Sequence, residues 1–300
     1  MMRERSAWPD LGIGLGLRSP HYARVLSGPT QVQWFEAVSE NYFSLPGAAG
    51  NRPLRTLERV RANHPVVLHG VSLSIGSTDP LDFAYLHQLK ALADHIEPAW
   101  LSDHICWTGM DGLNVHDLLP LPYTRETIRH VADRISRVQD FLGRRMLFEN
   151  VSSYLTYRHS EMTEWEFISE ICRRADCGLL LDLNNIYVSS VNHDFDPMKF
   201  LQGVPAERVG QYHLAGHRRQ GELLIDTHDE PVPDSVWSLY REALVRIGPR
   251  ATMIERDANI PAYDDLEAEA LRAGDLRNEV RLSTPVHAKE GAHASPHLTA

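Results

Sequence analysis

Several histidines and acidic residues in this 300-residue chain lie at or near the ends of short apolar runs. Together with one asparagine, they are His69, His104, Glu149, Asp182, Asn185, His213, Asp226, His228 and Glu255. A set of imidazole, carboxylate and carboxamide ligands without a thiolate suits iron, manganese or zinc. Buried carboxylates repel one another unless cations lie among them. Nine candidate ligands exceed the needs of one ion, so they predict two or three metal ions bridged by carboxylates.

The elements that must position these side chains are predicted to be buried strands. Short, nearly continuous apolar runs are typical of strands covered on both faces in a parallel sheet. Eight such runs occur, at residues 12–17, 34–40, 66–71, 100–106, 146–151, 179–183, 209–214 and 252–255.

Amphipathic helices are predicted between the strands, because apolar residues there recur at spacings of three and four. In one of them, Thr163 and Glu166 occupy the positions of a capping box. The predicted helices span residues 54–63, 82–96, 124–143, 163–175, 197–201, 234–247 and 263–273.

Strands that alternate with helices indicate right-handed β-α-β units and a parallel sheet. Eight units favour an α/β fold of the closed (β/α)8 TIM-barrel type, like that of sugar isomerases, over an open, doubly wound sheet with one strand miscounted. The active site of such a barrel lies at the carboxyl ends of its strands, so closure would bring the candidate ligands to one centre.

The barrel is predicted to form a single metal-binding domain over residues 1–274. From residue 275 to residue 300 the sequence has little apolar periodicity and is rich in Ala, Ser, Pro and His. This composition predicts a disordered tail.

Other polar residues lie near the candidate ligands. We expect His217 and His193 to line the pocket or hydrogen-bond a ligand rather than to bind metal. Asp103 and Asp257 lie beside candidate ligands, and we expect strand alternation to turn them toward the helices. Glu40 ends the second predicted strand and is an additional candidate outside the main set.

Charge and composition exclude several classes of protein. The formal net charge is −10, from 30 basic and 40 acidic residues, and no basic run is present, which argues against a nucleic-acid or anionic-membrane surface. We find neither a signal-peptide pattern nor an apolar run of about 18 residues, so we expect a cytoplasmic protein. Cys106, Cys172 and Cys177 lack CxxC spacing and are expected to be apolar packing residues.

Long stretches of the sequence are similar to a known family. From about Gly12 to Pro261, GLGLRSPHY, SENYF, LHGVSLSIGS, LSDHICW, HDLLPLPYT, FENVSSYL, GLLLDLNNIYVSSVNH, YHLAGH, LIDTHDEPV and IERDANIP occur in the order found in that family. They resemble the multinuclear non-haem iron-dependent oxidative enzymes, which include the oxidase subunit of methanobactin biosynthesis.

The resemblance implies a barrel that holds two or three iron ions and uses dioxygen to oxidise a cysteine in a ribosomally synthesised precursor peptide. It also implies a small partner protein that recognises the leader of the peptide. The same nine residues occupy the ligand positions of the family motifs. One departure is Arg256, which stands where the resemblance leads us to expect an aromatic residue.

Two alternatives remain open at this point. The first is a divalent-metal hydrolase or isomerase on a sugar-isomerase-like barrel. Against it, Asn185 stands where the pattern of apurinic-site endonucleases has a histidine, and Lys90, Lys199 and Lys289 lie away from the strand ends. The second is a non-catalytic metal-binding protein, which would have a closed and fully satisfied coordination shell.

Overall fold

The computed structural model of the protein describes residues 8–43 and 52–283. In chain order, the strands of this part are β1 (Ile13–Gly16), β2 (Trp34–Val38), β3 (Val66–His69), β4 (Leu101–His104), β5 (Trp107–Met110), β6 (Leu113–Leu119), β7 (Met146–Glu149), β8 (Gly178–Asp182), β9 (Val209–Leu214), β10 (Arg218–Gln220), β11 (Leu223–Ile225) and β12 (Ala251–Ile254). The α-helices are α1 (Tyr22–Ser27), α2 (Arg52–Arg61), α3 (Phe83–Ile96), α4 (Arg125–Leu142), α5 (Glu164–Ala175), α6 (Leu183–Asn192), α7 (Pro197–Gly203), α8 (Asp234–Arg246) and α9 (Tyr263–Ser283).

Eight strands close into a parallel barrel, in the chain order β1, β2, β3, β4, β7, β8, β9 and β12. The predicted (β/α)8 barrel is confirmed, and each of the eight predicted strands is present. Some end earlier than predicted, because the chain turns away at the carboxyl end of the barrel. The predicted strand 34–40 ends at Val38, and Glu40 lies in a short 3₁₀ helix beyond it. The hairpins β5–β6 and β10–β11 were not expected.

Helix α6, which begins directly after β8, was also not predicted from the sequence. Its sequence, LNNIYVSSVN, is rich in asparagine, serine and β-branched residues, which are poor helix formers. The side chain of Asp182 caps the helix by accepting a hydrogen bond of 2.6 Å from the backbone N–H of Asn185. Most of the helix is buried. Capping and tertiary packing therefore outweigh the unfavourable propensity of this segment.

The interior of the barrel has an apolar floor near the amino ends of the strands. It consists of Trp34, Val67, Trp100, Leu147, Leu180, Ala251 and Met253. Successive side chains of a strand point to opposite faces, so a residue two positions later faces the same way. The residues two positions after members of the floor include Glu36, His69, Ser102, Glu149, Asp182 and Glu255, all of which are buried. A polar level therefore lies directly above the floor.

Strand register places candidate ligands of neighbouring strands side by side. His104 of β4 pairs with Glu149 of β7, and Asp182 of β8 pairs with His213 of β9. Because all eight barrel strands are parallel, the polar residues that end them lie at the same end of the barrel. The fold therefore brings together residues that are far apart in the sequence.

The amino-terminal end of the barrel is covered by Trp8 and Leu11, which pack against the apolar floor. Space for the indole comes partly from Gly210, where an added Cβ would lie 2.8 Å from both Trp8 Cγ and Leu147 Cδ2. The Trp8 ring also meets Trp100 edge to face, with centroids 6.5 Å apart.

The predicted domain boundary at Gly274 is wrong in one respect, because α9 continues to Ser283. Val280 is buried and Leu276 packs against the core, so the helix buries apolar surface beyond the predicted end. Arg277 also donates a hydrogen bond of 2.6 Å to the carbonyl of Arg250. Residues 284–300 of the predicted tail lie outside the described residues. That the chain consists of one barrel domain and a tail stays a prediction. The boundary between the two lies after Ser283 rather than at Gly274.

Two expectations from composition concern the cysteines and the membrane. Cys106, Cys172 and Cys177 are buried and form no disulfide, as expected for packing residues. In the segments that the structure describes, no helix has both the length and the apolar character needed to span a bilayer.

We predict opposite effects of the same substitution at two glycines. Gly210→Ala should lower the free energy of unfolding by about 1–3 kcal/mol, because the new methyl group collides with Trp8. Gly274 lies inside α9, and the nearest side-chain atom would be 3.4 Å from a Cβ added there. Gly274→Ala should therefore raise the free energy of unfolding by up to about 1 kcal/mol. Urea denaturation measures both changes. An unchanged or lower stability in Gly274→Ala would contradict the continuation of the helix.

Candidate metal centre

Three overlapping groups of side chains at the carboxyl end of the barrel could each hold a cation. Within a group, the potential ligand atoms lie within 4.8 Å of one another. The groups are His69, His104 and Glu149; Glu149, Asp182, His213 and Glu255; and His228, Glu255 and Asp257. Glu149 belongs to the first two groups and Glu255 to the last two. A carboxylate has two oxygens and can bridge two ions, so the arrangement can accommodate up to three cations.

In the first group, one carboxylate oxygen lies between two histidines. His69 Nε2 and His104 Nε2 each lie 3.4 Å from Glu149 Oε2. His104 Nδ1 lies 3.1 Å from the carbonyl oxygen of Gly70, to which it can only donate. This contact leaves the Nε2 lone pair of a neutral ring free to bind a metal. Ser102 Oγ lies 2.8 Å from His69 Nδ1 and donates its own proton to the carbonyl of Leu68 at 3.5 Å, so it can accept a hydrogen bond from the His69 ring.

The second group is centred on His213. Its Nδ1 lies 3.0 Å from Glu255 Oε2 and 3.5 Å from Glu149 Oε1, and 3.9 Å from Asp182 Oδ2. On the other side of the ring, Nε2 lies 3.1 Å from Glu36 Oε2. A carboxylate behind a histidine fixes the tautomer and orientation of a metal-binding ring. Nδ1 is then the nitrogen available for a metal.

Glu36 is the functional candidate that the sequence analysis did not identify. It accepts a hydrogen bond of 2.6 Å from Gln211 Nε2, and Gln211 Oε1 accepts one of 2.7 Å from Trp100 Nε1 in the floor. Its position in the apolar run WFEAV could have identified it, because an unpaired carboxylate inside a buried strand is costly.

The third group is centred on His228, a non-glycine residue with a positive φ of 46°. His228 Nδ1 lies 3.3 Å from Glu255 Oε2 and 3.3 Å from Asp257 Oδ2. Its Nε2 lies 2.6 Å from Asp226 Oδ1. The expectation that Asp257 points toward the helices is wrong, because Asp257 follows Glu255 by two residues, a spacing at which side chains of an extended chain face the same way. Asp226 is not part of any of the three groups, although it contacts His228.

Asn185 is held close to the second group by the start of α6. Its Nδ2 donates a hydrogen bond of 3.0 Å to the carbonyl of Asn150, which leaves Oδ1 buried without a partner. Asn150 in turn forms two hydrogen bonds of 3.0 Å with the backbone of Asp182. The carboxamide oxygen of Asn185 is therefore fixed in position and free to bind a cation.

The unpartnered donor atoms test whether a metal fits this site. Buried polar atoms without a hydrogen bond are rare and costly in folded proteins. Five of the nine predicted ligands have, within the described part of the chain, a buried atom that forms no well-aligned hydrogen bond: Glu149 Oε2, Asp182 Oδ2, Asn185 Oδ1, His213 Nδ1 and His228 Nε2. His213 Nδ1 and His228 Nε2 nevertheless lie 3.0 Å and 2.6 Å from carboxylate oxygens, so Asp182 Oδ2 and Asn185 Oδ1 are the clearest cases. Bound cations would satisfy these atoms. The nitrogen and oxygen donor set fits iron, manganese or zinc.

Burial and charge shift the pKa of several of these residues. Burial lowers the pKa of His69 and lowers that of His104 to about 4, so both rings are neutral at pH 7. Burial also raises the pKa of Glu149 and Asp182. Burial opposes the charging of His213, but its carboxylate neighbours outweigh this effect and raise its pKa. The same holds for His228, next to Asp226 and Glu255.

The remaining candidates lie around the groups rather than in them. His217 stacks on Tyr187, with ring centroids 5.3 Å apart, and contacts Asn184 Oδ1 at 2.7 Å. His193 Nε2 lies 2.7 Å from Ser153 Oγ. Asp103 turns away, as expected, with Oδ2 facing Tyr85 OH of α3 at 3.5 Å.

Glu40, the additional candidate, and Arg256, the departure from the family pattern, both interact with the helices. Glu40 accepts hydrogen bonds of 2.9 Å from Tyr85 OH and from the backbone N–H of Val71, outside the three groups. Arg256 is buried and pairs with Glu269 of α9 at 3.1 Å. The departure from the expected aromatic residue therefore affects packing against α9.

The metal groups open into a cavity of about 290 Å³. His69, His104, Glu149, Asn185, Asp226, His228 and Glu255 line it, with Tyr154 from the loop after β7 and Leu118 from the β5–β6 hairpin. Because the cavity is open, a substrate can approach the groups from the carboxyl end of the barrel. This differs from a closed structural metal site, in which protein ligands fill every position.

Comparison with solved structures identifies the same architecture. Endonuclease IV from Thermus thermophilus superposes with a TM-score of 0.56 at 17% identity, over 90% of this chain and 99% of that chain. A D-allulose 3-epimerase from Methylomonas sp. superposes with a TM-score of 0.58 at 14% identity, over 91% of this chain and 100% of that chain. At these identities the likeness shows the fold alone, a sugar-isomerase-like TIM barrel.

Sequence relatives are much closer. A UPF0276 protein of Anaeromyxobacter sp. (strain Fw109-5) is 55% identical over 266 residues, covering 89% of this chain and 93% of the relative. A UPF0276 protein of Caulobacter vibrioides (strain NA1000 / CB15N) is 54% identical over 262 residues, 87% of this chain and 92% of the relative. The model of the family described as "RiPP precursor modification enzyme MbnB/TglH/ChrH" matches residues 12–278. RiPP denotes a ribosomally synthesised and post-translationally modified peptide. The chain therefore belongs to this family of enzymes that modify RiPP precursors.

Proposed function

We propose that the protein binds two or three iron ions and uses dioxygen to oxidise a cysteine residue of a RiPP precursor peptide. The observation that carries the proposal is the row of three overlapping ligand groups, with unpartnered donor atoms, beneath an open cavity. Membership of the family supports a precursor peptide as the substrate. The nitrogen and oxygen donor set fits iron, as it also fits manganese and zinc.

We propose as ligands the nine residues predicted from the sequence. They are His69, His104, Glu149, Asp182, Asn185, His213, Asp226, His228 and Glu255. The shared positions of Glu149 and Glu255 suit them to bridge neighbouring ions. Asp257 is an alternative to Asp226 as a ligand in the third group. The two carboxylates face different nitrogens of the same His228 ring, Asp226 facing Nε2 and Asp257 facing Nδ1.

Iron bound here would supply a redox-active Lewis acid that can bind a thiolate and pass electrons to dioxygen. The chain itself contributes orientation and proton acceptors. The Gly70 carbonyl and Ser102 hydroxyl fix the rings of His104 and His69. A cysteine thiol that enters the cavity must lose its proton, and the carboxylate of Asp117, which lies outside the proposed ligand set, lines the same cavity.

We also propose a small partner protein that binds the leader of the precursor peptide. A cavity of about 290 Å³ lies at the lower limit of small-ligand sites, which measure roughly 300–1,000 Å³. It can hold the reacting residue but not a leader segment. Recognition of the leader therefore requires another surface, and a partner protein would provide one.

The alternative of a divalent-metal hydrolase or isomerase differs in the metal that it needs. We expect protein purified without oxygen to contain two or three iron ions per chain, including a magnetically coupled pair. Elemental analysis with Mössbauer spectroscopy measures the identity, number and coupling of the ions. Full occupancy by zinc or manganese, with no iron bound after loading, would contradict the proposal and favour the hydrolase or isomerase.

Substitution of a bridging carboxylate should remove metal ions. Glu149→Gln takes one anionic oxygen from two ligand groups, so we expect at least one ion fewer per chain. Glu40→Gln is the matched control, because Glu40 lies at the same end of the barrel but in none of the groups. Elemental analysis of both variants, with circular dichroism to check folding, makes the comparison. Equal metal content in the two variants would count against the bridging role.

Metal binding should weaken as the pH falls. His213 and His228 have raised pKa values, so their rings carry protons in the metal-free protein at neutral pH. A cation must displace these protons, and its apparent affinity should therefore rise with pH, by about tenfold per pH unit for each proton displaced. Anaerobic calorimetry with Fe²⁺ at several pH values, in buffers of different ionisation enthalpy, counts the protons. A pH-independent affinity would show that these nitrogens do not bind the metal.

A further inference from the structure

A second cavity lies beside the metal centre and has a different chemical character. It measures about 240 Å³. Its lining is mainly apolar and aromatic, and includes Leu121, Leu155, Met162, Trp165 and Phe195. A cavity of about 150 Å³ with a similar apolar lining binds benzene in an engineered protein. The second cavity is therefore large enough for an aromatic or a large aliphatic side chain.

Several polar groups of the second cavity are paired within the protein. Ser153 Oγ contacts His193 Nε2 at 2.7 Å, and Tyr157 OH donates a hydrogen bond of 3.1 Å to the carbonyl of Pro120. Glu164 is hydrogen-bonded with Tyr123, and burial raises its pKa to about 8. The ionised form of this carboxyl group is therefore disfavoured. A mainly apolar wall, with several of its polar groups paired within the protein, favours an apolar occupant over a cationic one.

The two cavities share a wall, the chain segment 152–155 after β7. Ser152 and Tyr154 line the metal cavity, whereas Ser153 and Leu155 line the second cavity. The wall is anchored on the metal side, because Ser152 Oγ donates to Asp226 Oδ2 at 3.0 Å and Tyr154 OH accepts from the backbone N–H of Asp226 at 2.9 Å. Tyr154 and Leu155 are 41% and 46% exposed, so they form an accessible rim between the two openings.

We propose that the second cavity is a specificity subsite, which binds an aromatic or large aliphatic side chain of the precursor peptide close to the residue under modification. A peptide that crosses the rim of Tyr154 and Leu155 reaches both cavities within a few residues, since extended residues advance about 3.3 Å each. The subsite rests on the proposed function only in that its ligand is the precursor peptide. It does not depend on the identity of the metal.

Peptide display on the iron-loaded protein without oxygen tests the subsite. The probe is a library with a fixed central cysteine and random flanking residues, and a second library has serine in place of the cysteine. We expect Phe, Trp, Leu or Met to be enriched at least about fivefold at one flanking position. Leu155→Asp, which places a charge in the wall, should abolish this enrichment. Soluble indole should compete for binding of the selected peptides.

Leu282→Asp is the matched control, because Leu282 is an exposed leucine at the end of α9. It should retain the apolar enrichment. Enrichment of Lys or Arg, or no preference beside the cysteine, would overturn the subsite. Equal selection of the cysteine and serine libraries, with the apolar preference intact, would instead count against cysteine as the target and leave the subsite in place. The two proposals therefore fail in distinguishable ways.

Discussion

The arrangement of the centre depends on the two-residue period of the barrel strands. Residues that face the interior alternate with residues that face the helices, so each step of two along a strand rises one level inside the barrel. Trp34, Val67 and Leu147 form part of the apolar floor, and Glu36, His69 and Glu149 follow two residues later. Without an apolar floor, the carboxylates would lie in a hydrated channel, where cations are held less strongly.

The sequence was sufficient to predict the barrel and the convergence of most candidate ligands. Buried parallel strands have near-continuous apolar runs, and the carboxyl ends of such strands must meet once the barrel closes. Seven of the nine candidates appear in the closely spaced groups; Asp226 contacts His228, and Asn185 carries an unpartnered oxygen near Asp182. The directions of these side chains could be predicted because side chains alternate between the two faces of a regular strand.

The failures have different physical causes. Asp257 was assigned to the wrong face although it follows Glu255 by two residues, a spacing at which side chains of an extended chain face the same way. Helix α6 is set by the Asp182 cap and by burial, against the propensity of its residues. Glu36 lies two residues before the end of β2, and its role emerges only when β9 places Gln211 and His213 against it. These are long-range contacts, which local sequence patterns do not record.

The sharing of Glu149 and Glu255 between neighbouring groups has a consequence for how the centre would be loaded. A cation bound by one group withdraws negative charge that the next group would otherwise offer, and it also fixes the orientation of the shared side chain. The positions would therefore be coupled, and a titration would report macroscopic constants that belong to the whole array rather than to single sites. Partly loaded forms of such an array are distinct chemical species, each with its own reactivity.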